Sequence, residues 1–175
     1  MKQILFLLSF FLIGSMAKGQ SPDTADNKIP QTWKKFEIAP RVGIGIQKSF
    51  FAEAGFSLQK YLYDAREGFM VFTIYSSFEW VPASSNQKAI YGVKAGYEII
   101  NNGGGGGIEI KYLSNAENYD VMITPRLGFG IGFVNLFYGY NFSTNKYPFS
   151  RIRKNQFSMV INTNLLFYAS KYEKK

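Results

Sequence analysis

The sequence predicts an all-β chain: an eight-stranded antiparallel up-and-down transmembrane β-barrel. Three observations lead there. From Phe36 onward apolar residues recur at every second position, the period of a strand. Eight such runs follow one another with only short connections, the pattern of consecutive hairpins. The face opposite the apolar one carries charges and glycines together, which suits a narrow lumen better than a wet surface.

The first run, Lys35 to Gln47, sets Phe36, Ile38, Val42, Ile44 and Ile46 against Glu37, Arg41, Gly43, Gly45 and Gln47. The second, Phe50 to Tyr61, sets Ala52, Ala54, Phe56 and Leu58 against Glu53, Gly55, Ser57 and Gln59. The third, Phe69 to Trp80, opposes Phe72, Ile74, Phe78 and Trp80 to Thr73, Tyr75, Ser77 and Glu79. In the fourth, Lys88 to Ile100, Tyr91, Val93, Tyr97 and Ile99 face away from Gly92, Lys94, Gly96 and Glu98. A short fifth run, Gly107 to Leu113, puts Ile108, Ile110 and Tyr112 opposite Glu109 and Lys111. The sixth, Tyr119 to Gly132, puts Ile123, Leu127 and Phe129 opposite Asp120, Thr124, Arg126, Gly128 and Gly130. The seventh spans Phe133 to Ser143, and the eighth Asn155 to Tyr168, with Phe157, Met159 and Ile161 on its apolar side.

Ahead of these runs stands a different kind of segment. Lys2 precedes an apolar stretch, Ile4 to Ile13, and small residues follow at Gly14, Ser15 and Ala17, the layout of a secretory signal peptide. The stretch is shorter than the roughly 20 residues of a spanning helix. The expected organisation is a signal peptide over 1–19, a polar lead over 20–35, the barrel over 36–168 and a basic tail over 169–175.

Composition narrows the chemistry. Aromatic and charged residues each make up 18% of the 175 residues, whereas an ordinary soluble domain is about 25% charged. With no Cys there is no disulfide framework and no thiolate nucleophile. With no His there is no Ser-His triad and no imidazole acid or base. The sequence therefore points away from an enzyme and from any cofactor or metal site. The formal charge of +8 is the usual mark of nucleic-acid binding, but an export signal argues against that partner.

Alternation alone does not say which face is outside. A soluble barrel would turn the apolar face inward, and a membrane barrel would turn it to lipid. The ten charges on the polar face decide in favour of the membrane barrel: Glu37, Arg41, Glu53, Glu79, Lys94, Glu98, Glu109, Lys111, Asp120 and Arg126. Six acids and four bases are close to the balance of a closed pairing network, and Gly beside them leaves room for large neighbours. Tyr and Trp near the ends of the apolar runs (Trp80, Tyr91, Tyr97, Tyr112, Tyr119, Tyr138) suit two membrane interfaces. On these features the stretch Phe36 to Tyr168 resembles the small eight-stranded outer-membrane barrels of Gram-negative bacteria, such as the OmpX, OmpW and OmpA-barrel groups. That resemblance implies an outer-membrane location and outer-membrane lipid as the surrounding partner. One departure is that Phe167-Tyr168 is followed by seven further residues rather than ending the chain. The alternative is a secreted, soluble, lipocalin-like barrel whose aromatic face lines a pocket for an apolar ligand.

Three local motifs carry expectations. Ile38-Ala-Pro-Arg-Val-Gly-Ile-Gly-Ile46 recurs as Ile123-Thr-Pro-Arg-Leu-Gly-Phe-Gly-Ile131, placing Arg41 and Arg126 in the lumen. Each Arg is expected to pair with lumen acids, and Pro40 and Pro125 are expected to mark bulges or local breaks. Asn101-Asn102 and the five glycines Gly103 to Gly107 read as a flexible hairpin connection, taken over Asn101 to Gly106, since no Lys-Ser/Thr follows as a phosphate loop requires. Thr144 to Lys154 carries Lys146, Arg151, Arg153 and Lys154, a candidate anion-binding loop for lipopolysaccharide phosphates.

Overall fold

The computed structural model describes residues 32–33, 36–64, 68–131 and 134–162. The signal-peptide and C-terminal-tail expectations lie outside these residues. Eight long strands form the body: β1 (Glu37–Lys48), β2 (Phe50–Asp64), β3 (Gly68–Val81), β4 (Ile90–Asn101), β5 (Gly104–Ser114), β6 (Tyr119–Ile131), β7 (Val134–Tyr140) and β8 (Ile152–Asn162). Each pairs antiparallel with its sequence neighbours, and β8 pairs with β1, so the sheet closes. Two short pairings extend it, Thr32–Trp33 on β2 and Phe142–Ser143 on β6. Among the described residues none is helical.

The registers fix the geometry of closure. Ile46 pairs with Phe157, Phe157 with Tyr138, Tyr138 with Leu127, and Leu127 with Gly106. The circuit continues through Ile99, Phe72 and Lys60. Lys60 lies one step beyond the Gln59–Glu37 pair, so the circuit returns at position 36, ten residues from its start (46 − 36). Because that stagger is even, an outward residue meets only outward residues all the way round. The single alternation read along each strand thus becomes one continuous inside and one continuous outside.

The outside is apolar. Ile38, Ile46, Phe56, Val93, Ile110, Phe129 and Phe157 are all exposed. The inside is polar at mid-height, with Arg41, Glu79, Glu109 and Lys111 at 0% exposure. It is apolar at both ends, and this the sequence pattern does not reveal. Phe51, Val81, Ile90, Leu113, Met122, Phe149 and Ile152 cluster at the end that carries the β7–β8 loop. Ile100, Phe137 and Val160 cluster at the other.

Large interior side chains fit because glycines stand directly opposite them. Gly45 pairs with Phe51, Gly92 with Leu113, Gly96 with Tyr75 and Gly128 with Phe137. A Cβ at Gly45, Gly92 or Gly96 would strike the facing side chain. An eight-stranded barrel has an interior only wide enough for side chains to fill, so each large residue needs a small one across from it.

Two expectations change. Gly104–Gly107 belong to β5, and only Asn102-Gly103 form the turn, with φ of +49° and +89°. Positive φ at both central residues is what a two-residue type I′ hairpin requires, and Asn-Gly supplies it. The glycines that follow let β5 lie close to β4, since a Cβ on Gly105 would meet the Ile99 carbonyl. At Pro40 the β1–β2 register runs through without a shift. Near Pro125 the β5–β6 register is intact, but on the other side the β6–β7 pairs stop at Arg126 and pairing resumes only at Ile123 with Phe142, a local break of the kind expected there. The register shift of the barrel lies elsewhere, between Ile152 and Phe157 on β8.

Candidate functional site

The lumen charges converge because their strands are adjacent and their positions share one face. Arg41 on β1 holds Glu98 of β4 in a bidentate pair, Nη2 to Oε1 at 2.7 Å and Nη1 to Oε2 at 3.3 Å, across the interior. Its Nε donates to Glu53 Oε1 at 3.2 Å. Arg126 on β6 contacts the same Glu98 and lies 3.2 Å from Glu109. Lys94 contacts Glu53 and lies 3.1 Å from Glu79. Lys111 completes the set, 3.8 Å from Glu109.

Four carboxylates therefore meet four cations: Glu53, Glu79, Glu98 and Glu109 with Arg41, Lys94, Lys111 and Arg126. All eight are at most 4% exposed. Such a cluster costs heavily to desolvate, and a neutral sum with hydrogen bonds to every member is what makes burial tolerable. The other two predicted charges stand apart in role. Asp120 is buried, but its carboxylate accepts from Ser143 Oγ at 2.6 Å and the Asn145 N–H at 3.1 Å, anchoring the β7–β8 loop. Glu37 sits half-buried at the start of β1.

Neutral residues knit the cluster. Tyr75 stands at its centre, with the Arg41 guanidinium 3.8 Å from its ring centroid. The Tyr75 hydroxyl donates to Glu109 at 2.8 Å and accepts from Arg126 at 2.6 Å. Gln47 donates to Glu79 at 2.8 Å and accepts from Lys111 at 3.2 Å. Gln156 contacts Lys111 and donates to Glu109 at 3.2 Å. The sequence reading did not single these three out. The usable signal was a tyrosine on an otherwise small and polar face, between Thr73 and Ser77.

The basic loop divides. Arg151 is 8% exposed and acts as a strut: its guanidinium donates to the Lys88 carbonyl at 3.3 Å, to Ser49 Oγ at 3.2 Å and to the Pro82 carbonyl. Lys146, Arg153 and Lys154 are exposed. The strut holds Phe149 down among the strand ends, where it is 4% exposed. The loop is thus a lid over one end of the lumen, seated by one aromatic and tied by one arginine.

Phe149→Ala removes the seat, and Arg151→Ala removes the tie. Either should make the loop the first site of limited proteolysis while the barrel stays folded, because truncating a buried Phe costs about 3–5 kcal/mol where the segment cannot collapse. Neither should empty the lumen, since the charge cluster still fills the barrel below. Faster amide hydrogen exchange in Phe149→Ala at the strands that carry the cluster would contradict that account of the lumen.

Among the described residues no His, Cys, Asp and Glu group is arranged to hold a metal ion. Each of the four clustered carboxylates already faces a cation. The charged groups of the cluster are thus paired with one another. Comparison of the chain with protein-family models, with characterised proteins and with solved structures finds no match.

Proposed function

We propose that this protein is an integral outer-membrane β-barrel, exported by a cleaved signal peptide, with a salt-bridged lumen and a structural or surface-interaction role rather than catalysis. One observation carries the reading: the chain is apolar outside and charged inside. Among the described residues twenty-two large hydrophobic side chains are exposed around the barrel, whereas soluble monomers rarely expose apolar patches beyond a few hundred Å². Strand lengths agree. Seven of the eight strands have 11 to 15 described residues, against roughly 9–11 for a spanning strand. Exposed Trp80, Tyr91, Tyr112 and Tyr119 lie near the loop ends of β3 to β6, as an interfacial girdle would.

A lipocalin-like carrier would need the aromatic face to line an interior pocket. Here that face points outward and charge fills the interior, which favours the membrane reading. Fractionation after export tests it directly. The mature protein should pellet with outer membranes and should change its electrophoretic mobility in detergent on boiling. Recovery as soluble periplasmic material of unchanged mobility would overturn it.

A substitution sharpens the test. Ile110 is exposed and pairs with Ala95 and Ile123, near the middle of β5. Ile110→Arg should cost about 2–4 kcal/mol of folding stability in lipid vesicles. The same change would be nearly silent on a wet surface, where substitutions stay within about 0.5 kcal/mol.

A further inference from the structure

The outer face is not uniformly convex. An apolar groove of about 550 Å³ runs across β6, β7, β8 and β1, between the row Leu127–Tyr138–Phe157–Ile46 and the row Phe129–Leu136–Met159–Ile44. Its floor includes Gly45 and Ser158, which are direct partners across β1 and β8. Two small inward residues leave the strands bare there, while the flanking side chains stand up as walls.

At its loop end the groove meets concentrated positive charge. Ile152 pairs with Lys48, and the next pair on β8 is Phe157 with Ile46, so the bulge between them carries Arg153 and Lys154. Both are exposed, as is Lys48, whose ammonium donates to the Ser150 carbonyl at 2.7 Å. From Val134 to Asn162 there are four bases and no Asp or Glu.

We propose that this groove seats one acyl chain of a phosphorylated, multiply acylated glycolipid of the lipid A type, with a phosphate held by Arg153 and Lys154. The inference rests on the membrane reading above. Within hydrocarbon an acyl chain gains nothing from being apolar, because the neighbouring tails are equally so. Selection must come from the charged end and from the shape of the groove together. The choice of lipid follows from which end the bases occupy. At one end the β2–β3, β4–β5 and β6–β7 connections span three residues or fewer; at the other the β1–β2 and β5–β6 turns are also short, Ser49 alone and 115–118, but the two long connections, 82–89 between β3 and β4 and 141–151 between β7 and β8, both lie there. Short turns inward and long loops outward is the outer-membrane rule. The bases then lie at the outer leaflet, where the anionic lipid is the phosphorylated glycolipid.

Native mass spectrometry of the full mature chain in detergent micelles tests this, with purified lipid A added and phosphatidylglycerol and phosphatidylethanolamine as comparators. One lipid A per chain should be retained in preference to either phospholipid. Arg153→Gln/Lys154→Gln should lower its affinity at least tenfold, since each base near a lipid surface is worth about fivefold. Ile44→Trp, which fills the groove and leaves the bases intact, should lower it as well. Equal retention of phosphatidylglycerol, an unchanged affinity in Ile44→Trp, or a second copy of the chain occupying the face in place of lipid would each overturn the proposal. A chain that enters neither micelles nor vesicles would instead refute the membrane reading itself, so the two failures are distinct.

Discussion

Glu98→Gln should destabilise the folded barrel by about 3–5 kcal/mol, the usual loss when one member of a buried ion pair is removed. Glu98 faces two guanidiniums, Arg41 at 2.7 Å and Arg126 in direct contact. Without its charge, two buried arginines confront one neutral amide and the four-to-four balance of the cluster is lost. Urea unfolding of the vesicle-reconstituted protein, followed by tryptophan fluorescence, measures the effect. The sign of a second variant separates pairing from packing. Arg41→Met/Glu98→Leu removes one cation and one anion together, and it should be less destabilised than Glu98→Gln alone. If the double variant is the worse of the two, the cluster contributes through shape rather than charge.

Gly96→Leu should be comparably damaging, about 3–5 kcal/mol, for a steric reason. A Cβ at position 96 would overlap the Tyr75 ring and hydroxyl. Displacing Tyr75 overfills the lumen, at about 1–3 kcal/mol, and it unmakes the bonds to Glu109 and Arg126, at a further 1–3 kcal/mol for buried groups left unpaired. Tyr75→Ser in the Gly96→Leu background should recover part of the loss, because it vacates the space. Gly104→Ala is the control. Open space surrounds a Cβ there, the nearest atom being the Asn101 carbonyl oxygen at 4.0 Å, so its effect should stay within about 0.5 kcal/mol. Equal damage from both would mean that lumen packing is not what makes Gly96 a glycine.

Much of this is legible in the sequence. The face of every long strand follows from residue spacing, because a period of two needs no tertiary information. Arg41 and Arg126 announced themselves through a repeated nonapeptide, and the acids they meet lie on the same face. Five glycines look alike in one dimension, so the run reads as a flexible loop. Only the pairing partner shows that Gly105 is set by the Ile99 carbonyl, whereas Gly104 is free of such a contact. Pro40 also misleads, since a missing N–H matters only on the side where a partner strand would accept it. The apolar ends of the lumen went unseen because Phe51, Phe137 and Val160 read as breaks in an alternating pattern.

By itself the sequence determined the number of strands, their order, and which side chains share a face. Those are local properties, fixed by the two-residue period and by turn chemistry. Tertiary structure alone decided the ten-residue stagger, and with it who meets whom inside. Glu98 lies 57 residues from Arg41, and only closure through that stagger sets them opposite each other. It also turned four of the bases and four of the acids into one neutral cluster. Arg151 shows the same division most sharply. In the sequence it is one of four loop cations. In the fold it is buried against backbone carbonyls, because the loop that carries it bends back over the barrel mouth.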